Sequence, residues 1–400
     1  MTAGTQPGDV IGPVTVGPVA HGGHCVARHE GRVIFVRHAL PGETVMITVT
    51  DTAQSSYWRG DATAIIDASA DRVDPACPIA GPGLCGGCDF QHVAPAAQRR
   101  LKADVLSEQL HRLAGLDLQV PVEPVTVGRD DGGAEGLGWR TRMRYLIDDH
   151  GRPGLRAHRS HRVITLPPEG CRIAAPAISR PADGSSDGEL IGVDAADAVH
   201  WLFGADHEAI TEHAIGRDWR VSGDGFWQVH PAAADLLATT VLDGLRPEAG
   251  DTAFDLYCGV GLFSGALVDA GCRVIGVESS RDAVAAARRN LADVGSRARF
   301  HAARVDRALA APRGRSALPG SVDLVVLDPP RSGAGKRVID QLVRRRPRAI
   351  AYVACDPAAL ARDLGYLFGQ AYQLVSLRAF DLFPMTHHME CVAILRPDRP

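Results

Sequence analysis

No apolar run in this 400-residue chain approaches the ~20 residues that a membrane span needs. The N-terminus also lacks the basic segment followed by an apolar stretch that marks a secretory leader. These absences predict a cytosolic protein with no membrane partner. Aromatic residues are scarce, at 5%, yet hydrophobic residues reach 45%, so sizeable cores are available and disorder as the main state is excluded. Strong charge of either sign is missing too. A formal net charge of -4 argues against indiscriminate nucleic-acid binding and leaves room for a local basic face. No internal repeat is found, and the length allows two or three domains. The nine cysteines are odd in number and unevenly spread. In a reducing compartment they read as metal ligands, reactive thiols or packing residues rather than disulfides.

Short β-branched runs broken by glycine and proline fill Gly8 to Ile66, the pattern of a small closed barrel: Val10-Ile11, Val14-Val19, His24-Ala27, Arg32-Val36, Thr44-Val49 and Asp61-Ile66. Three thiols follow closely, Cys77, Cys85 and Cys88, the last two spaced C-x2-C around glycines that let the backbone wrap tightly. Packing alone gives no reason for that spacing, and thiolates select zinc or an iron-sulfur cluster. Cys171 is the best fourth ligand in the interval that follows. The radical adenosylmethionine signature is not matched. A helix is predicted from Ala94 to Leu113, with Gly115 as its stop. Beyond it, Arg140, Arg142 and Arg144 alternate as on a strand face, followed by Arg156, Arg159 and Arg162, which predicts a phosphate-contacting surface. The polar stretch Pro181 to Gly188 reads as a mobile loop.

The second half alternates strands and helices from Thr252 to Phe368 and ends in an antiparallel pair, Leu374-Phe380 and Val392-Leu395, as in a doubly wound α/β domain. Asp255 to Gly261 closes the first of these strands with Gly259 and Gly261, which permit a tight turn. Glu278 ends the second, where an acid reaches ribose hydroxyls. The turn is not the G-x-G-x-x-G that cradles pyrophosphate; its D-x-x-x-G-x-G form fits S-adenosyl-L-methionine. Asp328-Pro329-Pro330-Arg331 ends a further strand, its aspartate facing the same crevice. Finally, the apolar run Tyr352-Val353-Ala354 ends in Cys355, followed by Asp356-Pro357 and a helical pattern. A thiol where a parallel strand stops sits at the edge where open α/β sheets do chemistry, so Cys355 is the candidate nucleophile. Cys258 and Cys272 read as packing residues.

Together these motifs resemble the RNA (uracil-5-)-methyltransferase family, in its TRAM-bearing, iron-sulfur branch. The barrel resembles a TRAM domain through His21-Gly22-Gly23, Phe35-Val36 and Leu40-Pro41-Gly42-Glu43. Phe226-Trp227-Gln228-Val229 is similar to the family's element before the cofactor domain. Ala354-Cys355-Asp356-Pro357 resembles its nucleophile motif, and Phe383 to Glu390 its terminal motif. The resemblance implies cofactor contacts by Gln228, Tyr257, Glu278 and Asp328, a base at Glu390, and a [4Fe-4S] cluster on Cys77, Cys85, Cys88 and Cys171. It departs from the family pattern at Leu262 and His230, where asparagine is common. It implies an RNA partner, rRNA or tRNA, presenting an unstacked uridine in a loop, and the chain is expected to act as a monomer. The expected domains are a barrel over 1–68, a central domain over 69–215 and a class I methyltransferase domain over 216–400. A cytosine-5 methyltransferase, a non-catalytic RNA-binding scaffold and a nicotinamide oxidoreductase are the competing readings. The scaffold would not need Cys355, Glu390 and a cofactor crevice together, and the oxidoreductase leaves the thiols unexplained.

Overall fold

The computed structural model describes residues 5–127, 135–182, 188–203, 208–311 and 318–398. Most of the stretch expected to form a mobile loop, Pro181 to Gly188, therefore lies outside the described residues. Five strands form the expected barrel: β1 (Val10–Ala20), β2 (His24–His29), β3 (Arg32–Arg37), β4 (Thr44–Asp51) and β5 (Tyr57–Asp67). They close in the order β1-β2-β3-β5-β4. Val16, Ile34, Val36, Val45 and Ile47 alternate inward and fill it. The two runs read at Val10 and Val14 are one strand, whose pairing register with β4 shifts between Ile11 and Val14.

Helix α1 (Pro95–Gln109) widens into a π-type turn over Leu110–Ala114 and stops at Gly115, whose φ is 64°. It joins two cores. Leu101 and Val105 pack with the barrel interior, while Leu106 and Leu110 pack with the α/β domain. A three-residue strand, β6 (Val122–Pro124), then pairs into the distant α/β sheet.

The central region is a five-stranded sheet built from β7 (Arg142–Ile147), β8 (Pro153–Arg156), β9 (Val163–Thr165), β10 (Gly188–Asp194) and β11 (Val199–Phe203). A hairpin of β12 (Ala209–Ala214) and β13 (Arg217–Ser222) follows. Here the expected arginine face is corrected at one residue, Arg142, while Arg144, Arg156, Arg159 and Arg162 are exposed. Arg142 is buried, 3.0 Å from Glu212, and donates to the carbonyls of Gly223 and Gly225 at 3.1 and 3.3 Å. Its charge is neutralised inside the protein because Glu212 of β12 and the chain after β13 cover this end of β7, whereas Arg144 on the same face stays exposed, a difference that alternation along a strand does not reveal.

The α/β domain contains α2 (Ala233–Leu245), β14 (Thr252–Leu256), α3 (Leu262–Asp269), β15 (Arg273–Glu278), α4 (Arg281–Asn290), β16 (Ala298–Ala302), α5 (Val305–Ala310), β17 (Leu324–Leu327), α6 (Lys336–Val343), β18 (Ala349–Ala354), α7 (Pro357–Phe368), β19 (Tyr372–Asp381) and β20 (Glu390–Pro397). The eight-stranded order is β16-β15-β14-β17-β18-β20-β19-β6, with β14 to β18 parallel and β20 antiparallel to both neighbours. Successive strand residues enter opposite cores: Ala253, Leu324 and Ala349 face one, and Phe254, Val325 and Ile350 the other. Burial on both faces is what a parallel sheet requires, and it places all the strand ends along one crevice.

Candidate active site

The crevice is assembled from strand ends. After β14 the chain turns through Tyr257 at φ 67°, Gly259 at φ 52° and Gly261 at φ 100°. At Gly261 the left-handed backbone favours glycine, and a Cβ there would lie 3.4 Å from that of Ala287. Glu278, closing β15, is pinned against this turn. One carboxylate oxygen accepts from the Ser280 amide at 2.8 Å and the Ser279 hydroxyl at 2.9 Å, and the other lies 3.4 Å from the Gly259 amide.

Next to it are two carboxyls in the sheet interior. Asp255 in β14 accepts from the Ser264 hydroxyl at 2.6 Å, and burial pushes its pKa up to about 7. Asp328, just beyond β17, is also pushed up to about 7, by burial and then by the charge of Asp255. Cys355 follows β18. Asp356 caps α7 by accepting from the Ala359 amide at 2.7 Å, and Pro357 opens the helix, which fixes the sharp turn at the thiol. Pairing of Ala354 with Cys391 places Glu390, the first residue of β20, beside Cys355. Burial pushes the Cys355 thiol up to about 11, with Glu390 and Asp328 adding to the shift and Arg331 opposing it. Glu390 is 4% exposed and is held well above the usual carboxyl range, by burial first and then by Asp328.

Gln228, Tyr257, Gly259, Glu278, Asp328, Cys355 and Glu390 line one pocket of about 1790 Å³. Gly261, in the same turn as Gly259, does not line it. Leu262 lines it with an apolar side chain, and His230 is buried against Trp139, with ring centroids 6.2 Å apart. The pocket also brings in residues not read above as site residues: Phe226, which is 76% exposed, and Asp89, His158, Arg331, His387 and His388, together with Arg140 from the expected phosphate-contacting surface. His387 lies 2.6 Å from Asp89, and Arg331 lies 3.2 Å from His388. Burial, then the charges of His387 and Arg331, holds His388 down at about 3. Asp89 directly follows the C-x2-C pair and two histidines stand in the terminal motif, but their meeting depends on the fold. From the barrel, His21 reaches Asp356 at 2.9 Å, and this hydrogen bond raises its pKa.

Cys77, Cys85, Cys88 and Cys171 are free thiols in one neighbourhood, and burial, with smaller contributions from one another, raises the pKa of Cys85 and Cys88. Among the described residues, no group of three or more histidine, cysteine, aspartate or glutamate side chains is placed to hold a single metal ion. The expectation of a metal site on these residues is corrected to that extent: the chain folds them together without closing a mononuclear site. Cys25 belongs to the barrel core, Cys258 and Cys272 to one α/β core and Cys391 to the other.

Comparison with known proteins bears on the same features. Residues 210–397 match the family described as tRNA (Uracil-5-)-methyltransferase, and residues 6–63 match the TRAM domain. An uncharacterized RNA methyltransferase of Streptomyces avermitilis is 48% identical, covering 96% of this chain and 98% of its own. A Shewanella protein named 23S rRNA (uracil(1939)-C(5))-methyltransferase is 30% identical over 94% of this chain and 93% of its own. In fold, the chain is similar to the tRNA (uracil-54, C5)-methyltransferase of Pyrococcus abyssi, solved with S-adenosyl-L-homocysteine, with a TM-score of 0.69, 22% identity and coverage of 95% and 99%. A chain with this barrel, this crevice and these relatives along nearly its whole length belongs to the RNA (uracil-5-)-methyltransferase family.

Proposed function

We propose that this protein transfers the methyl group of S-adenosyl-L-methionine to C5 of an unstacked uridine in rRNA or tRNA, with Cys355 as nucleophile and Glu390 as base. The observation that carries the reading is the register of β18 and β20, which sets a thiol and a buried carboxyl side by side in a pocket that also holds Gln228, Tyr257, Gly259, Glu278 and Asp328. Uracil C5 is too weak a carbon nucleophile to be methylated unaided. The Cys355 thiolate adds to C6, the π electrons move to the carbonyl as an enolate, and C5 then takes the methyl group as its bond to the sulfonium sulfur breaks. Glu390 removes the C5 proton, the C6–S bond breaks, and the free thiolate returns. Both groups need their charged forms, yet burial and the neighbouring carboxyls favour their neutral forms in the free pocket. A positively charged sulfonium would favour both charged forms at once, so activation accompanies cofactor binding.

Removing each group should stop the cycle at a different point. Cys355→Ala should bind RNA and cofactor without methyl transfer. Glu390→Gln should accumulate a methylated covalent protein-RNA adduct that survives denaturing electrophoresis. Full turnover by Cys355→Ala would sink the assignment.

The four central thiols are soft donors with no histidine or carboxylate among them, the set that suits an iron-sulfur cluster, whose several irons need ligands less closely gathered than a single ion does. Cys77, Cys85, Cys88 and Cys171 would hold it, and it would cross-link the central region without entering the reaction. Anaerobically purified protein should contain iron and acid-labile sulfide, and Cys171→Ser should remove both. Zinc without sulfide would overturn this part.

A further inference from the structure

Asp363 of α7 is a fully buried carboxylate outside the reaction, and its two oxygens gather five donors. One oxygen accepts from the Tyr352 hydroxyl at 2.7 Å and from the amides of Ala334 and Gly335 at 2.8 and 3.0 Å. The other accepts from Nε and Nη2 of the neighbouring Arg362 at 2.9 and 2.7 Å. Arg362 Nη2 also donates to the Ser332 carbonyl at 2.8 Å, and the Ala334 amide lies 3.0 Å from the Tyr352 hydroxyl. Gly333 allows this close approach. Its φ is 77°, and a Cβ there would lie 2.6 Å from the Asp363 carboxylate.

The donors from outside α7 come from two places, the strand that leads into Cys355 and the loop after β17. That loop, from Asp328 to Gly335, lines the catalytic pocket along its whole length, whereas Asp363, Tyr352 and Arg362 stand behind it. Helix capping does not account for the arrangement. A helix start is ordinarily capped by its own N-cap residue, but Gly335 at the start of α6 offers no side chain, and the acceptor comes instead from the helix that leaves Cys355. The elements on both sides of the thiol therefore grip the loop that carries Asp328 and Arg331. Arg331 and Cys355 line both the catalytic pocket and a second cavity of about 180 Å³, and Arg331 is the positive charge that opposes Glu390 and Asp328 at the thiol.

We propose that Asp363 is a positioning residue for the methyl transfer: with Tyr352 and Arg362 it ties the loop of Asp328 and Arg331 to the two elements flanking Cys355, so that thiol and guanidinium keep one spacing. A carboxylate suits this place because it only accepts, and can take backbone amides, a hydroxyl and a guanidinium together. Its bearing on the reaction rests on the reading of Cys355 as nucleophile.

The test is the rate of Cys355 alkylation by iodoacetamide in the full-length protein, read at that residue by mass spectrometry, at a fixed pH below the thiol midpoint where rate follows the thiolate fraction. Arg331→Gln should slow it about tenfold, since an opposite charge near a thiol is worth about one pH unit. Asp363→Asn should slow it by a similar factor, and Tyr352→Phe by a smaller one. The direction discriminates. Removing a carboxylate by itself favours the thiolate, and a loosened pocket would admit the reagent faster, so a slower rate has to come through the displaced arginine. In an Arg331→Gln background neither substitution should slow the reaction further. Tyr352→Phe decides the matter if Asp363→Asn fails to fold. A lower melting temperature with an unchanged or faster alkylation rate in the folded variant would show that Asp363 only stabilises, and overturns the proposal. Equal slowing with and without Arg331 overturns it too. Alkylation that depends on Asp363 in a protein that methylates no uridine would overturn the proposed function and leave the positioning of the thiol standing. A wild-type kcat in Asp363→Asn, in a protein that Cys355→Ala inactivates, would do the reverse.

Discussion

Two carboxyls, Glu390 and Asp328, act on the candidate thiol, and a third, Asp255, acts on Asp328 behind them. Asp328 raises both Cys355 and Glu390, so removing its charge should let both ionise more readily. Cys355 should therefore be alkylated by iodoacetamide with a midpoint near 11 in the free protein, and Asp328→Asn should move that midpoint downward. A midpoint unmoved by this substitution would mean that Asp328 does not act on the thiol. Asp255 allows a stability test. Its folded pKa is raised from 3.8 to about 7, so the folded state holds a proton that the unfolded state releases. Stability at this group is thus present at low pH and declines as pH rises from about 4 to about 7. Asp255→Asn should flatten that part of the melting-temperature profile, and a profile as steep as that of the parent would contradict the assignment.

At the level of elements, the thiol turn depends on the start of α7. Asp356 both caps this helix and receives His21 from the barrel, so Asp356→Ala should cost about 1 kcal/mol as a lost cap. It should also reduce methyl transfer, while His21→Ala should leave stability nearly unchanged, because the exposed pair contributes little. Denaturant midpoints of the two variants check this. The elements most legible in the sequence were those with both faces buried. β17 and β18 are continuous apolar runs and β14 is broken only by Asp255, and each is followed directly by a residue of the crevice, Asp328, Cys355 and Tyr257 respectively. The signal of α2 was present in Ala233, Leu237, Val241 and Leu245, spaced four apart. β6 was not legible, since three residues carry no periodicity and its pairing with β19 spans more than half the chain. Arg142 misled for a related reason: its partner, Glu212, is 70 residues away.

The whole molecule is held around the pocket by side chains that cross between its parts: His21 to Asp356, Asp89 to His387, and Lys102 to Asp381. The last is the most deeply placed. Lys102 is 1% exposed on α1, the helix shared by the barrel and α/β cores, and it lies 2.6 Å from Asp381 at the end of β19 and 3.1 Å from the carbonyl of Phe383, just before the terminal motif. The chain has two lysines, Lys102 and Lys336, and arginine elsewhere, so a compact ammonium at this point answers a geometric need. Lys102→Met leaves Asp381 buried without its partner and should destabilise by roughly 3–5 kcal/mol. Adding Asp381→Leu to that variant removes the orphaned charge and should recover much of the loss, because a buried pair replaced by apolar side chains of similar volume is often neutral. Activity should not recover with stability. The ion pair fixes the strand end that leads into Phe383, His387 and Glu390, and an apolar contact holds that register less sharply. Chemical denaturation of the two variants, read beside methyl transfer at a temperature where both are folded, separates the two effects, and equal recovery of both would show that the pair only stabilises.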